Sequence, residues 1–201
     1  MATLLLVRHG ETEWNTEGRI QGWAPVGLSD RGHQQADQVS TYLADQYDVD
    51  LIVSSDLQRT METAEPIASA VGQPIEKNRK LRERHFGVYQ GLLSESFFNR
   101  FPKMDLLENG RGAVEYTPES GESWLDLRER VFEAVSDLRN QNKTIVVVTH
   151  VNPIRLILGD LMEKDIISSL TELSVENCSL TEIRPDGDVG VQNRTVFLSN
   201  E

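Results

Sequence analysis

Two histidines close two hydrophobic runs. Residues 4–7 lead into Arg8-His9-Gly10, and the β-branched run 144–148 leads into Thr149-His150. An imidazole can attack as a nucleophile or move a proton near neutral pH. Arg8 stands beside the end of an apolar run, where a guanidinium needs an anion. A third run, 50–53, ends in Ser54-Ser55-Asp56-Leu57-Gln58-Arg59 and sets Arg59 just inside the segment that follows. The planar fork of arginine matches phosphate or carboxylate. Two arginines and two histidines at one edge of a sheet describe an anion pocket. Acidic residues are not similarly placed, and neither HExxH nor paired-cysteine spacing occurs, so no metal is expected. A GxxxxGK[ST] loop and a strand-following GxGxxG turn are also lacking. That argues against nucleotide or dinucleotide chemistry and leaves no expected cofactor.

The elements that must position these groups alternate between strand and helix. Apolar runs at 4–7, 50–53 and 144–148 read as buried parallel strands, with 74–76 as a short fourth. Asp30 reads as the cap of a helix over 31–47, with Ala36, Val39, Tyr42 and Leu43 at helical spacing. Asp56 reads as the cap of a second helix, closed by Gly72. Residues 122–139 are a third helix, and a fourth restarts at Pro153 and runs to Met162. The tail from Leu173 reads as strands with a turn at Pro185-Asp186-Gly187. This alternation predicts an α/β fold, a three-layer α/β/α sandwich around a mainly parallel sheet. Ligands of such sheets gather beyond the carboxyl ends of the strands. One domain is expected over residues 1–201. Residues 81–120 are irregular, and within them an insertion of about 92–120 is expected to act as a lid over the site.

Composition narrows the partners. The 201 residues carry 32 acidic and 20 basic side chains, a formal charge of −12. Nucleic acid and anionic membranes require a basic footprint, so neither is expected. A small phosphorylated substrate remains compatible, because screening limits surface fields to about 8 Å at physiological salt. No apolar run approaches membrane-spanning length. The N-terminal Leu4-Leu5-Leu6-Val7 run is too short for an export signal, and a cytoplasmic protein is expected. Cys178 is the single cysteine and reads as a small buried hydrophobe. Trp14, Trp23 and Trp124 read as core or pocket wall. The apolar tail strands could pair between chains as a homodimer.

Leu6-Val7-Arg8-His9-Gly10-Glu11-Thr12, followed by Trp14-Asn15, resembles the signature of the histidine phosphatase superfamily, also called the phosphoglycerate mutase-like family. Further matches follow in order along nearly the whole chain. They are Arg19-Ile20-Gln21-Gly22-Trp23; Leu28-Ser29 with Gly32, Gln35 and Ala36; and Ser54 through Thr60. Leu81-Arg82-Glu83 with Phe86-Gly87 and Gln90-Gly91, then Gly121-Glu122-Ser123, and finally Thr149-His150, complete the series.

The resemblance implies a phosphomonoesterase in which His9 is the nucleophile and forms a phosphohistidine. Arg8, Arg59 and His150 would clamp the non-bridging oxygens, where transition-state charge is spread. Glu83 would protonate the leaving oxygen and later activate water. Thr12, Asn15, Gln21, Gly22, Arg84 and Val151 would bind substrate, and Glu122 would cap or support the site. Two departures stand out. Val151-Asn152-Pro153 replaces the family's two glycines after the second histidine, and Pro153 offers no N–H. Ala24-Pro25-Val26-Gly27-Leu28 replaces the usual Asp-Xaa-Pro-Leu. Glu83-Arg84-His85-Phe86-Gly87 is close to the mutase form, so a cofactor-dependent phosphoglycerate mutase is the alternative. The family's bisphosphate-holding arginine pair is missing between Gly91 and Glu122, which favours the phosphatase. A phosphate-binding module without turnover is the lesser alternative.

Overall fold

The computed structural model describes residues 1–198, and of Ser96 only the backbone. The strands are β1 (Thr3–Arg8), β2 (Leu51–Ser54), β3 (Ile75–Lys77), β4 (Thr144–Thr149), β5 (Leu180–Ile183) and β6 (Val189–Arg194). The helices are α1 (Glu13–Thr16), α2 (Asp30–Gln46), α3 (Gln58–Val71), α4 (Ser94–Arg100), α5 (Leu106–Asn109), α6 (Arg111–Glu115), α7 (Trp124–Arg139), α8 (Val151–Leu161) and α9 (Ile166–Glu172).

One sheet runs β3-β2-β4-β1-β5-β6. Its first four strands are parallel, β5 is antiparallel to β1, and β6 is antiparallel to β5. The inner strands are apolar throughout because both faces are covered. Leu4 and Leu6 of β1, with Ile145 and Val147 of β4, pack with Leu127, Val131 and Ile154 of α7 and α8. Leu5, Val7, Val146 and Val148 point the other way, onto Ala36, Val39, Ala64 and Ile67 of α2 and α3. Each fully buried leucine or valine contributes about 1.5–3 kcal/mol. The arrangement is the expected sandwich.

Several element ends differ from expectation, each for a local reason. Ser29 caps α2, its hydroxyl accepting the Gly32 N–H at 3.1 Å, so Asp30 is the first helical residue. Asp56 does not cap α3, because its carboxylate takes the fork of Arg82 at 2.5 and 2.6 Å. Gly72 does close that helix, at φ +71°. α7 starts at Trp124, behind a Ser123–Asp126 capping box. α8 starts two residues before Pro153, which sits in the first turn where N–H groups have no helical partner. Strand structure in the tail begins only at Leu180, and Gly187 at φ +100° turns the hairpin. Residues 94–115 carry α4, α5, α6 and a 3-10 turn, where the sequence reads as irregular. Among the described residues, no helix is long and apolar enough to cross a membrane.

Candidate active site

Parallel neighbours share a carboxyl edge, so sheet order decides what meets there. β4 lies between β2 and β1, with Arg8 opposite Thr149 and Ser54 opposite Val148. His150, one residue past β4, is therefore flanked by Ser55 and His9. The two imidazole centroids are 5.2 Å apart, and His150 Nε2 is 2.9 Å from the Ser55 hydroxyl.

The backbone holds His9 tightly. Its N–H donates to the Thr149 carbonyl at 3.0 Å, and its carbonyl accepts from the Asn177 amide at 3.0 Å. Gly10 must be glycine, since a Cβ there would lie 2.6 Å from the Gly32 carbonyl oxygen in the first turn of α2. The ring Nδ1 lies 2.7 Å from the Gly10 carbonyl oxygen. A carbonyl can only accept, so the proton is on Nδ1 and Nε2 keeps its lone pair. Burial, then the charges of Arg59 and Arg8, hold the His9 pKa well below its ordinary 6.5. His150 is depressed likewise, by burial first and by Arg59 next. Both rings are neutral at pH 7.

The arginines are incompletely bonded. Arg59 is fully buried and donates Nη2 to the Gly22 carbonyl at 2.7 Å, but its Nε has no partner among the described residues. Arg8 donates Nη1 to the Val175 carbonyl at 2.7 Å, and its Nε is likewise buried and unpaired. Burial lowers both to about 10, with Glu83 opposing that shift, so both stay charged at neutral pH. His150 Nδ1 and Gln21 Oε1 are also buried and unpaired. A half-turn of the Gln21 amide would present a donor instead. Unmet buried polar groups cost about 1–3 kcal/mol each. Arg8, Gln21 and Arg59 share one cavity with His9, and the His150 ring lies beside that imidazole, an arrangement that can hold an anion.

The cavity has a volume of about 180 Å³. Arg8, His9, Asn15, Gln21, Gly22, Arg59, Glu83 and Val151 line it, as do Arg19, Ile20, Phe86 and Asn152. His150 is fully buried beside His9 and does not itself line this cavity. Two residues expected to bind substrate do not line this cavity either. Thr12 is fully buried as the cap of α1, its hydroxyl engaged with Asn15. Arg84 borders a neighbouring cavity, with Nε donating to the Glu122 carbonyl at 3.0 Å and Nη2 to the Tyr116 carbonyl at 3.1 Å. Its guanidinium lies 4.2 Å from the Trp124 ring centroid.

Glu83 is held from several sides. Its carboxylate accepts the Arg84 N–H at 2.6 Å, the Asn152 side-chain amide at 3.0 Å and the Asn152 N–H at 3.4 Å. Its backbone carbonyl accepts from Trp23 Nε1 at 2.6 Å and Arg130 Nη2 at 2.8 Å. Arg130 also bonds both oxygens of Glu122 and the carbonyls of Lys80 and Arg82. Glu122 is thus a structural partner of Arg130, and also accepts the His85 N–H at 2.8 Å. Sequence reasoning missed Asn152 and Arg130. Asn152 was visible only as a departure from the two-glycine pattern, and Arg130 has no local signal inside an ordinary amphipathic helix.

A sequence profile of the histidine phosphatase superfamily (branch 1) matches residues 4–196. Phosphoglycerate mutase-like protein 4 of Arabidopsis thaliana is 34% identical, over 99% of this chain and 90% of that protein. Phosphoserine phosphatase 1 of Hydrogenobacter thermophilus is also 34% identical, over 98% of this chain and 91% of that one. The solved structure of Bacillus stearothermophilus YhfR superposes with a TM-score of 0.88 at 28% identity, covering 99% of this chain and 100% of that one.

Proposed function

The chain belongs to branch 1 of the histidine phosphatase superfamily, and from that premise we propose that it hydrolyses small phosphomonoesters through a phosphohistidine on His9. The carrying observation is the Nδ1–H bond to the Gly10 carbonyl, which leaves Nε2 as a lone pair in a cavity walled by under-bonded cations. Nε2 attacks phosphorus, the N–P bond forms and the ester P–O bond breaks. The proton of a protonated Glu83 goes to the leaving oxygen. A water molecule then gives its proton to Glu83 and attacks phosphorus, and the N–P bond breaks to release phosphate. Arg8, Arg59 and His150 stabilise the equatorial charge. When Ser55 donates to His150 Nε2, Nδ1 carries the proton and is the free donor.

Asn15, Gln21, Gly22 and the N–H of Val151 complete the phosphate cradle in this reading. Residues 1–201 act as one catalytic domain, with about 92–120 walling the site. The names of relatives support two reactions, since one is a phosphatase and one a mutase-like protein. The lack of an adjacent arginine pair between Gly91 and Glu122 favours hydrolysis over mutase chemistry.

Phosphate release across a panel of phosphomonoesters, including 3-phosphoglycerate with and without its bisphosphate, tests the reading. The expected result is hydrolysis that His9→Ala abolishes. Bisphosphate-dependent isomerisation would assign a mutase, and phosphate binding without turnover would assign a binding module.

A further inference from the structure

A second cavity, of about 310 Å³, adjoins the phosphate cavity, and Ile20, Phe86 and Asn152 border both. Among the described residues, Asn152 is also one of the two that donate to the Glu83 carboxylate. The leaving oxygen, protonated by Glu83, must therefore sit near this shared border. Whatever that oxygen carries extends into the larger cavity.

The lining is apolar. Phe97, Phe98, Met104, Trp124 and Leu170 form much of it, and Phe98 is 45% exposed at its rim. Each polar side chain there is anchored within the protein by at least one bond, although Nη1 of Arg84 and both Nη atoms of Arg155 have no hydrogen-bond partner among the described residues. The Ser94 hydroxyl donates to the Gly18 carbonyl at 2.7 Å, and Thr171 donates to the Ile167 carbonyl at 2.8 Å. Asp105 caps α5 through the N–H groups of Leu107 and Glu108. Arg84 bonds two carbonyls, and Arg155 Nε donates to the Leu173 carbonyl at 2.7 Å. A sugar carries several hydroxyls, and those that do not reach the open guanidinium donors of Arg84 or Arg155 would give up water for a hydrocarbon wall. An apolar body gains burial against the hydrocarbon side chains that make up most of the wall.

We propose that the substrate is a phosphomonoester of an apolar alcohol, with its hydrocarbon body in this second cavity. The proposal rests on the phosphatase reading above. At about 30 Å³ of liquid volume per water-sized group, the space holds about ten heavy atoms.

The test is kcat/KM for n-alkyl phosphates from ethyl to octyl, whose leaving groups have nearly equal acidity, beside glucose 6-phosphate. In parallel, calorimetry measures the affinity of n-alkylphosphonates, which bind without turnover. Each methylene should raise both quantities by up to about fourfold. The hexyl ester should exceed glucose 6-phosphate at least tenfold. Phe98→Asp should lower the octyl ester at least tenfold and change the ethyl ester less than twofold. A flat alkyl series, a preference for the sugar phosphate, or an unchanged series in Phe98→Asp overturns the proposal. Rising phosphonate affinities without any ester turnover would sink the phosphatase reading while supporting the cavity assignment.

Discussion

Arg130 offers the sharpest structural perturbation. It makes five hydrogen bonds: two to the Glu122 carboxylate at 2.5 and 2.9 Å, and one each to the carbonyls of Lys80, Arg82 and Glu83 at 2.8, 2.7 and 2.8 Å. Lysine keeps the charge but gathers its three donors on one atom, so it cannot span these acceptors. Arg130→Lys should lose at least two bonds. A hydrogen bond to a charged group contributes about 1.5–3 kcal/mol. The side chain retains 17% exposure, so water offsets part of the loss. A net destabilisation of about 3 kcal/mol is expected. At about 2–4 °C per kcal/mol for a chain of this length, Tm should fall by about 6–12 °C. Glu83 keeps the Trp23 bond to its carbonyl, so its carboxyl should shift without leaving the site. Alkyl phosphates, which need the acid, should slow by about 10–100-fold, and aryl phosphates with good leaving groups far less. Scanning calorimetry and paired kinetics read the two effects. Arg128→Lys, at an exposed ion pair with Asp160, is the control and should change stability by under about 0.5 kcal/mol. If Arg130→Lys lowers Tm but slows both ester classes equally, its link to Glu83 is refuted.

Two further predictions concern the anion site. His9 and His150 are held neutral well below pH 6.5 in the fold, whereas the unfolded chain protonates them near 6.5. The unfolded state then binds more protons, so stability should fall as pH drops below about 6.5, by up to about 1.4 kcal/mol per unit for each ring. Urea midpoints between pH 7.5 and 5.5 report this, and a flat profile would contradict the buried neutral pair. Inorganic phosphate should satisfy the unpaired donors of Arg8, Arg59 and His150. At a hundred times its Kd it should add about 2.7 kcal/mol, and so raise Tm by about 5–11 °C. Retention of that shift in Arg59→Leu would remove Arg59 from the site.

The sheet was legible because its inner strands are covered on both faces and therefore apolar without interruption. The position of Arg59 was legible too, since it follows a strand end. Its burial was not, because a helix residue after a strand can equally face water. Helix caps misread in the same direction. Asp30 and Asp56 have capping chemistry, but Ser29 precedes the first, and the second is claimed by Arg82 from 26 residues away. Glu83 was recognisable only through family resemblance, for Arg82-Glu83-Arg84 is locally an ordinary charged stretch. The groups that aim it come from distant segments, Trp23, Arg130 and Asn152, and their pairing exists only once the chain has folded. Thr12 shows the converse, a residue whose motif suggests substrate while its hydroxyl is engaged with Asn15.

The central claim is that phosphorus passes through Nε2 of His9. An aryl phosphate leaves without a strong acid, but hydrolysis of the intermediate needs Glu83 as base. Labelled aryl phosphate, mixed with Glu83→Gln protein and quenched within one turnover, should therefore yield an acid-labile, base-stable phosphoprotein that maps to His9. Stoichiometric phosphate release with no label on the protein, or label on any other residue, would contradict the account.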